Sequence, residues 1–502
     1  MRAWLAIVIG KISAFVSRLL RIGGGSSLPG VLALRIEPRI LFRLLEKSTL
    51  TSIIITGSNG KTTTSRMIAE VLEHSGVHIV WNRSGANMVS GIVSALIQGC
   101  DTWGRLMADA AVFEVDEANL RHAMGAIRPT IVVVTNCFRD QLDRYGEVDT
   151  TLELIRTALK DLPVESTLIL NADDPLVASL ASSTQCRVLF YGIEEAFPSE
   201  GGFSDSEHNL SGTLKTSKYR PQDARNCAAC GTYYEYSSIT YGHLGKYRCP
   251  RCGLSRPFPH FRALDIIPKG FEGSEFTMIY ETPILPVTAS PTIERCQVSG
   301  PHGSESDSFS VSVGLPGLYN VYNCLAAVAC CLTLGISSET IKEGIAKCPG
   351  AFGRMETIMV GDKKILLTLV KNPVGFTEVI RTICSERVDK TLLICLNDNF
   401  ADGRDVSWIW DADIELIAEN PGLVHTVIAS GLRAWDMALR LKYAGISEEK
   451  ICVEHDLDKA LEMGLGQVGP GETLYILPTY TALLEIRENI RGRSHAREFW
   501  RA

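Results

Sequence analysis

Ser52-Ile53-Ile54-Ile55-Thr56 runs without a break into Gly57-Ser58-Asn59-Gly60-Lys61-Thr62-Thr63. A short apolar, β-branched run reads as a buried strand, and the glycines mark a tight turn that a helix then leaves. A strand, loop and helix in that order aim backbone N–H groups and the positive end of the helix dipole at one point, which favours a polyphosphate. Lys61 is expected to neutralise the β- and γ-phosphates of ATP and the Thr62 hydroxyl to hold Mg²⁺, with Gly57, Asn59, Gly60 and Thr63 completing the loop. The loop is shorter than the common nucleotide motif, which has a glycine where Ile55 stands.

The same pattern repeats downstream. Short β-branched runs at 111–115, 131–135 and 167–170 are separated by enough chain for a helix each, which predicts a mostly parallel sheet covered on both faces. A second α/β run, with strands expected at 364–370, 391–396, 424–429 and 473–477, fills the last third. At 502 residues the chain exceeds what one core organises. The expected division is a helical segment over 1–48, an ATP-binding domain over 49–345 and a Rossmann-like α/β domain over 346–502.

Polar stretches at 196–217 and 299–308 interrupt the central domain, and a cysteine module lies between them. Cys227 and Cys230 form one Cys-x-x-Cys pair, Cys249 and Cys252 another, and eighteen residues separate them. That is the spacing of a zinc ribbon, expected as an insert over about 220–260, with four thiolates closing the coordination of a structural Zn²⁺. Only Lys246 and Arg248 are basic between the pairs, too few for a phosphate footprint, and the formal charge of −7 also argues against nucleic acid. The other cysteines are scattered, as suits a reducing compartment. Residues 4–22 are apolar but carry Lys11, Arg18 and Arg21. Leu5, Val8, Ile9, Ile12, Val16, Leu19 and Leu20 fall at helical spacing, so an amphipathic helix is expected, packed on its own protein or lying on a membrane surface.

Thr56–Thr63 resembles the ATP loop of the Mur ligases, and further matches follow in that family's order. They are Glu114-Val115-Asp116-Glu117-Ala118, Asn171-Ala172-Asp173-Asp174-Pro175, Gly317-Leu318-Tyr319-Asn320-Val321-Tyr322-Asn323 and Gly353-Arg354-Met355-Glu356. The resemblance implies a Mur ligase central domain. It also implies Mg²⁺ on Glu114, nucleotide contacts from Asn320 and Asn323, and Arg354 at the developing phosphate charge. Four more segments, 82–87, 138–146, 371–375 and 397–405, are similar to the glutaminase-coupled members of the family. Amino-acid-adding members have a histidine where Gln141 stands and a carbamylated lysine near Arg156, where this chain has no lysine before Lys160. The glutaminase-coupled members share that loss.

What this resemblance implies is ATP-dependent amidation. A carboxylate resists amines because its leaving group would be oxide. Phosphorylation to an acyl phosphate lets ammonia attack, and the protein supplies positioning and charge neutralisation. The implied acceptor is the α-carboxylate of D-glutamate in the lipid II stem peptide, at the inner face of the cell membrane, with at most peripheral membrane contact. The chain carries no glutaminase signature of its own, so a GatD-type glutaminase partner in a heterodimer is implied, with Asp405 completing its Cys–His pair. Asp398 and Asp402 lie in the same loop, and a turn or cap role is open for all three. Residues 84–87 are a candidate substrate loop, with a plain strand-to-helix turn as the alternative. Two rivals remain at this point: a ligase that adds a whole amino acid to a peptide or folate-like acceptor, and a non-catalytic nucleotide-sensing scaffold.

Overall fold

The computed structural model describes residues 1–20, 27–46, 48–82, 86–139, 148–194, 223–281, 306–348, 355–385, 388–419 and 423–491. Strands β1 (Thr51–Thr56), β2 (Ile79–Trp81), β3 (Ala110–Glu114), β4 (Ile131–Val134), β5 (Thr167–Asn171) and β6 (Arg187–Ile193) pair in parallel. β1, β3, β4 and β5 are buried at every position, as their unbroken apolar runs require of strands covered on both faces. An antiparallel hairpin of β7 (Glu235–Tyr241) and β8 (Leu244–Arg248) stands apart as its own two-stranded sheet. β9 (Phe261–Pro268) then joins β6 in parallel, and β10 (Ser274–Glu281) and β11 (Ser306–Val313) add an antiparallel edge. The nine-stranded order is β11-β10-β9-β6-β5-β4-β1-β3-β2.

One face of this sheet buries Met67, Ile68 and Val71 of the helix Lys61–His74 and most of the helix Leu318–Thr333. The other packs against helices Ile40–Leu45, Val89–Gly99, Leu120–Ile127 and Val148–Leu159. The expected N-terminal helix is present as Arg2–Leu20, and it packs on Leu28–Ile36 and Val89–Gly99. Its inward face is not the one the apolar periodicity marks. Ala6, Ile7, Gly10, Ala14 and Ser17 are buried, whereas Leu5, Ile12, Val16 and Leu19 are exposed. A Cβ on Gly10 would come within 2.9 Å of Ile97 Cδ1, so small residues set how closely the two helices approach.

The second sheet comprises β12 (Glu356–Val360), β13 (Lys363–Leu367), β14 (Lys390–Cys395), β15 (Val424–Ser430), β16 (Ile451–Glu454) and β17 (Thr473–Pro478), in the order β12-β13-β17-β14-β15-β16. β12 is antiparallel to β13 and the rest run parallel. Helices Pro373–Ser385 and Ala434–Tyr443 cover one face, Leu457–Gln467 and Tyr480–Arg491 the other. The run expected at 364–370 ends as a regular strand at Leu367, and Thr368 to Asn372 turn into the gap between the two sheets.

Candidate functional site

The loop after β1 emerges between β3 and β4, at the carboxyl ends of parallel strands, where crossover connections leave a crevice. Gly57 and Gly60 take φ values of +122° and +87°, conformations that side chains disfavour. Space excludes them as well: a Cβ on Gly57 would overlap Thr135 Oγ1, and one on Gly60 would overlap Asn323 Oδ1. Gly60 caps the helix Lys61–His74, whose first turn holds Lys61, Thr62 and Thr63.

Lys61 Nζ donates to Gly57 O at 2.5 Å and to Glu117 Oε1 at 2.8 Å. The Gly57 N–H donates to the same Glu117 oxygen at 3.2 Å. Burial pulls Lys61 down, but Glu117, with Glu114 and Asp116 behind it, outweighs burial and holds the ammonium above its ordinary range. Glu114 ends β3, opposite Ile55 of β1. Asn82 brackets its main chain, donating to Glu114 O at 2.7 Å and accepting from Glu114 N–H at 2.9 Å. Glu114 is near enough to Lys61 to raise its pKa and Thr62 follows Lys61 in the helix; both carry hard oxygen donors of the kind Mg²⁺ takes.

Asn59 links the loop to its surroundings on three sides. Its N–H donates to Asn136 Oδ1 at 2.8 Å, its carbonyl accepts from Thr135 Oγ1 at 2.7 Å, and its Oδ1 accepts from Asn372 Nδ2 at 2.9 Å. The last bond crosses from the first sheet's unit to the second's. A cleft opens there, lined on one side by Asn59, Gly60, Thr63 and Asn323 and on the other by Asn372, Val374 and Glu378. Burial raises the Glu378 carboxyl despite Arg381 at 2.8 Å. Asn320 does not line the cleft: it donates to Pro316 O at 2.7 Å and accepts from Asn323 Nδ2 at 3.1 Å, which orients Asn323. Arg354 and Gln141 lie outside the described residues, as do Ser84 and Gly85. Arg156 bonds to Ser179 and Ser183 and pairs with Glu153.

The four cysteine sulfurs lie within 4.8 Å of one another. Gly231 and Gly253, both at positive φ, donate to Cys227 O and Cys249 O and close matching turns around each pair. A tetrahedron with Zn–S of about 2.3 Å has edges of roughly 3.8 Å. Sγ separations of 3.5 Å for Cys227–Cys252 and 3.4 Å for Cys230–Cys249 are close to that, so the donor set fits Zn²⁺. The hairpin β7–β8 carries this module into the site. Tyr241 lines the cleft, Gly242 sits against Phe138 and Val374, and His243 is buried with Nε2 at 3.1 Å from Asp174 Oδ1. Nothing in the cysteine spacing signals that insertion.

The three loop aspartates separate clearly. Asp402 is buried and accepts from Thr481 N–H at 2.7 Å, capping the last helix. Asp398 pairs with Arg433 at 2.8 Å. Asp405 is half-buried and takes a 2.8 Å bond from Ser407 N–H through Oδ1.

Residues 55–223 match the Mur ligase middle domain, and residues 369–483 match the MurT ligase C-terminal domain. The chain is 33% identical over 498 residues to the Streptococcus pneumoniae lipid II isoglutaminyl synthase (glutamine-hydrolyzing) subunit MurT, covering 99% of both chains. The chain belongs to the MurT family. The Staphylococcus aureus MurT subunit is 31% identical over 490 residues, 98% of each chain. Two solved structures share the fold of this MurT-family chain at low identity. A pseudomurein peptide ligase type C from Methanothermus fervidus matches with a TM-score of 0.62 at 22% identity over 89% of this chain and 80% of its own. A MurF ligase from Thermotoga maritima, solved in complex with ADP, matches with 0.58 at 13% identity over 92% and 84%. The Mur ligase fold implied by the loop and its companion motifs is thus the fold of this MurT-family chain. Sequence reading did not mark Glu117, Asn136, Asn372 or Glu378 as site residues. Glu117 and Asn372 stand inside segments that carried the resemblance; in the first, Glu114 three residues earlier drew the assignment, and in the second no residue was singled out.

Proposed function

We propose that this chain is the ATP-consuming subunit of a lipid II isoglutaminyl synthase. It converts the α-carboxylate of D-glutamate in the stem peptide to an amide through an acyl phosphate. The observation that carries the reading is the convergence of Lys61 Nζ and the Gly57 N–H on one oxygen in the loop whose Asn59 and Gly60 line the cleft, since groups that hold a carboxylate oxygen there can hold a phosphate oxygen. In this reading Lys61 neutralises the β- and γ-phosphates. Thr62 and Glu114 hold Mg²⁺, which supplies charge neutralisation at the transferring group. Gly57, Asn59, Gly60 and Thr63 shape the loop, Asn323, oriented by Asn320, meets the nucleoside, and Arg354 meets the developing charge.

Ammonia comes from a GatD-type glutaminase that docks on the 346–502 unit, and Asp405 completes that partner's Cys–His pair. Support comes from the segments that leave the carboxyl ends of β14 and β15: Phe400 and Trp435 there are 81% and 66% exposed, aromatic side chains of the sort that interfaces bury. Cys227, Cys230, Cys249 and Cys252 hold a structural Zn²⁺. The reaction takes place in the cytoplasm at the inner face of the membrane.

The test uses the assembled complex with ATP, lipid II and glutamine. Lys61→Ala is expected to abolish amide formation while the glutaminase still copurifies. Amidation at the wild-type rate by that variant would overturn the assignment, and incorporation of a free amino acid in preference to ammonia would move the chain to the amino-acid-adding class.

A further inference from the structure

The N-terminal helix Arg2–Leu20 inverts the usual distribution of side-chain size. Its inward face is built from Ala6, Gly10, Ala14 and Ser17 with Ile7, while Trp4, Leu5, Ile12, Phe15, Val16 and Leu19 all face out. At 100° per residue these six fall within one face of about 120°. Phe15 and Leu19 are 67% and 69% exposed. Burying a large apolar side chain is among the strongest stabilising terms available to a helix, so a face that turns six of them to the outside needs an apolar cover.

Charge indicates which cover. The first 36 residues contain Arg2, Lys11, Arg18, Arg21 and Arg35 and no acidic residue, in a chain whose formal charge is −7. The exposed aromatics near Asp405 sit instead among Asp398, Arg433 and Asp436, the mixed-charge rim of a protein interface. Trp103, 82% exposed, lies three residues after Cys100, whose carbonyl accepts a 2.6 Å bond from Lys11 of the helix. Among the described residues no helix is long and apolar enough to cross a membrane. An apolar stripe with aromatic residues, in a stretch of sequence that is basic and lacks acidic residues, is the pattern of a helix lying in the headgroup region of an anionic bilayer.

We infer that Trp4, Leu5, Ile12, Phe15, Val16 and Leu19 form a membrane-docking face that seats the enzyme on anionic lipid. The helix is held to the body by its small residues, so the body is carried to the surface rigidly. This inference stands apart from the catalytic reading, because vesicle binding is measured without turnover.

The experiment is flotation of the full chain, assembled with its glutaminase subunit, on vesicles of phosphatidylcholine mixed with phosphatidylglycerol against phosphatidylcholine alone. Binding to the mixed vesicles is expected to be at least about tenfold stronger and to fall with added salt, as contacts from two or more basic residues require. The double substitution Phe15→Glu/Leu19→Glu is expected to abolish it, whereas Val164→Glu, at an exposed position elsewhere, leaves it intact. Three results overturn the proposal: wild-type complex that binds neither vesicle, a Phe15→Glu/Leu19→Glu complex that binds like wild type, or loss of the glutaminase or of a second copy of this chain from the Phe15→Glu/Leu19→Glu complex.

Discussion

Lys61 and Glu117 form an ion pair of 2.8 Å beside the glycine loop, and the Gly57 N–H completes a two-point hold on the same carboxylate oxygen. Both side chains are almost wholly buried, so water screens little of their attraction. An internal anion thus sits where the terminal phosphates of ATP are proposed to bind. The nucleotide must displace Glu117 from Lys61 before the ammonium can serve it.

Replacing Glu117 by Gln keeps the shape and removes the competing charge. The nucleotide dissociation constant is expected to fall about tenfold, which is about 1.4 kcal/mol. Calorimetric titration of ATP or ADP into the variant measures this directly, and an unchanged or weaker constant would show that Glu117 does not compete with phosphate.

The hairpin of the cysteine module links the metal site to the same loop. Tyr241 packs against Phe138 with ring centroids 5.7 Å apart, and His243 lies 4.6 Å from the Phe138 ring. Phe138 in turn donates its N–H to Ser58 Oγ at 3.0 Å and accepts from that hydroxyl at 2.9 Å. In the proposed zinc site four thiolates would hold the base of the hairpin, and small ribbons of this kind lose their fold without metal. Stripping the metal with a chelator is therefore expected to weaken nucleotide binding at least about tenfold and to lower the melting temperature together with it. Full nucleotide affinity in protein shown by metal analysis to be free of zinc would break the link.

How much of this was legible beforehand follows from the range of the interactions. Phosphate loop, parallel strands and cysteine pairs are local patterns, set by backbone freedom at Gly57 and Gly60, by apolar runs such as Ile53–Ile55 and by the reach of one Cys-x-x-Cys turn. Expected strand ends fall within about two residues of those observed, except at Leu367. The contacts that finish the cleft are not local: 313 residues separate Asn59 from Asn372, and Tyr241 arrives from an insert. No periodicity encodes such pairings. The N-terminal helix shows the converse limit, for spacing revealed an apolar face but could not say that Ala6, Gly10 and Ala14 would be the side that packs.

Asp413 gives a pH dependence with a definite sign. Burial first, then the charges of Glu415 and Glu419, raise its carboxyl to about 7 from an ordinary 3.8. Between about pH 4 and 7 the folded chain keeps a proton that the unfolded chain releases, so stability falls as pH rises through that window and levels off above it. Arg440 faces the same group and moderates the shift. Asp413→Asn removes the titratable carboxyl, and with it the charge carried at high pH, and keeps the main-chain bond from Asp413 N–H to Thr377 Oγ1. With the shift discounted for the half of the side chain that water screens, the variant is expected to gain about 1–2 kcal/mol at pH 8 and nothing near pH 4. Denaturant melts at the two pH values read the difference, and equal gains at both would assign the effect to something other than the proton.

Of the three aspartates after β14, Asp402 is committed to Thr481 and Asp398 to Arg433, whereas Asp405 spends one oxygen on a turn at Ser407. In the proposed complex Asp405 is the carboxylate that meets a histidine of the glutaminase, fixes its tautomer and stabilises its protonated form. Asp405→Asn preserves the turn through the amide oxygen and removes the charge. Glutamine-dependent amidation is expected to drop by about two to four orders of magnitude, the range seen when the carboxylate of a triad is neutralised. Amidation fed with ammonium salts should stay within a few-fold of wild type, because that route bypasses the glutaminase. Equal losses with both nitrogen sources would place Asp405 in the ligase half of the reaction or in the fold.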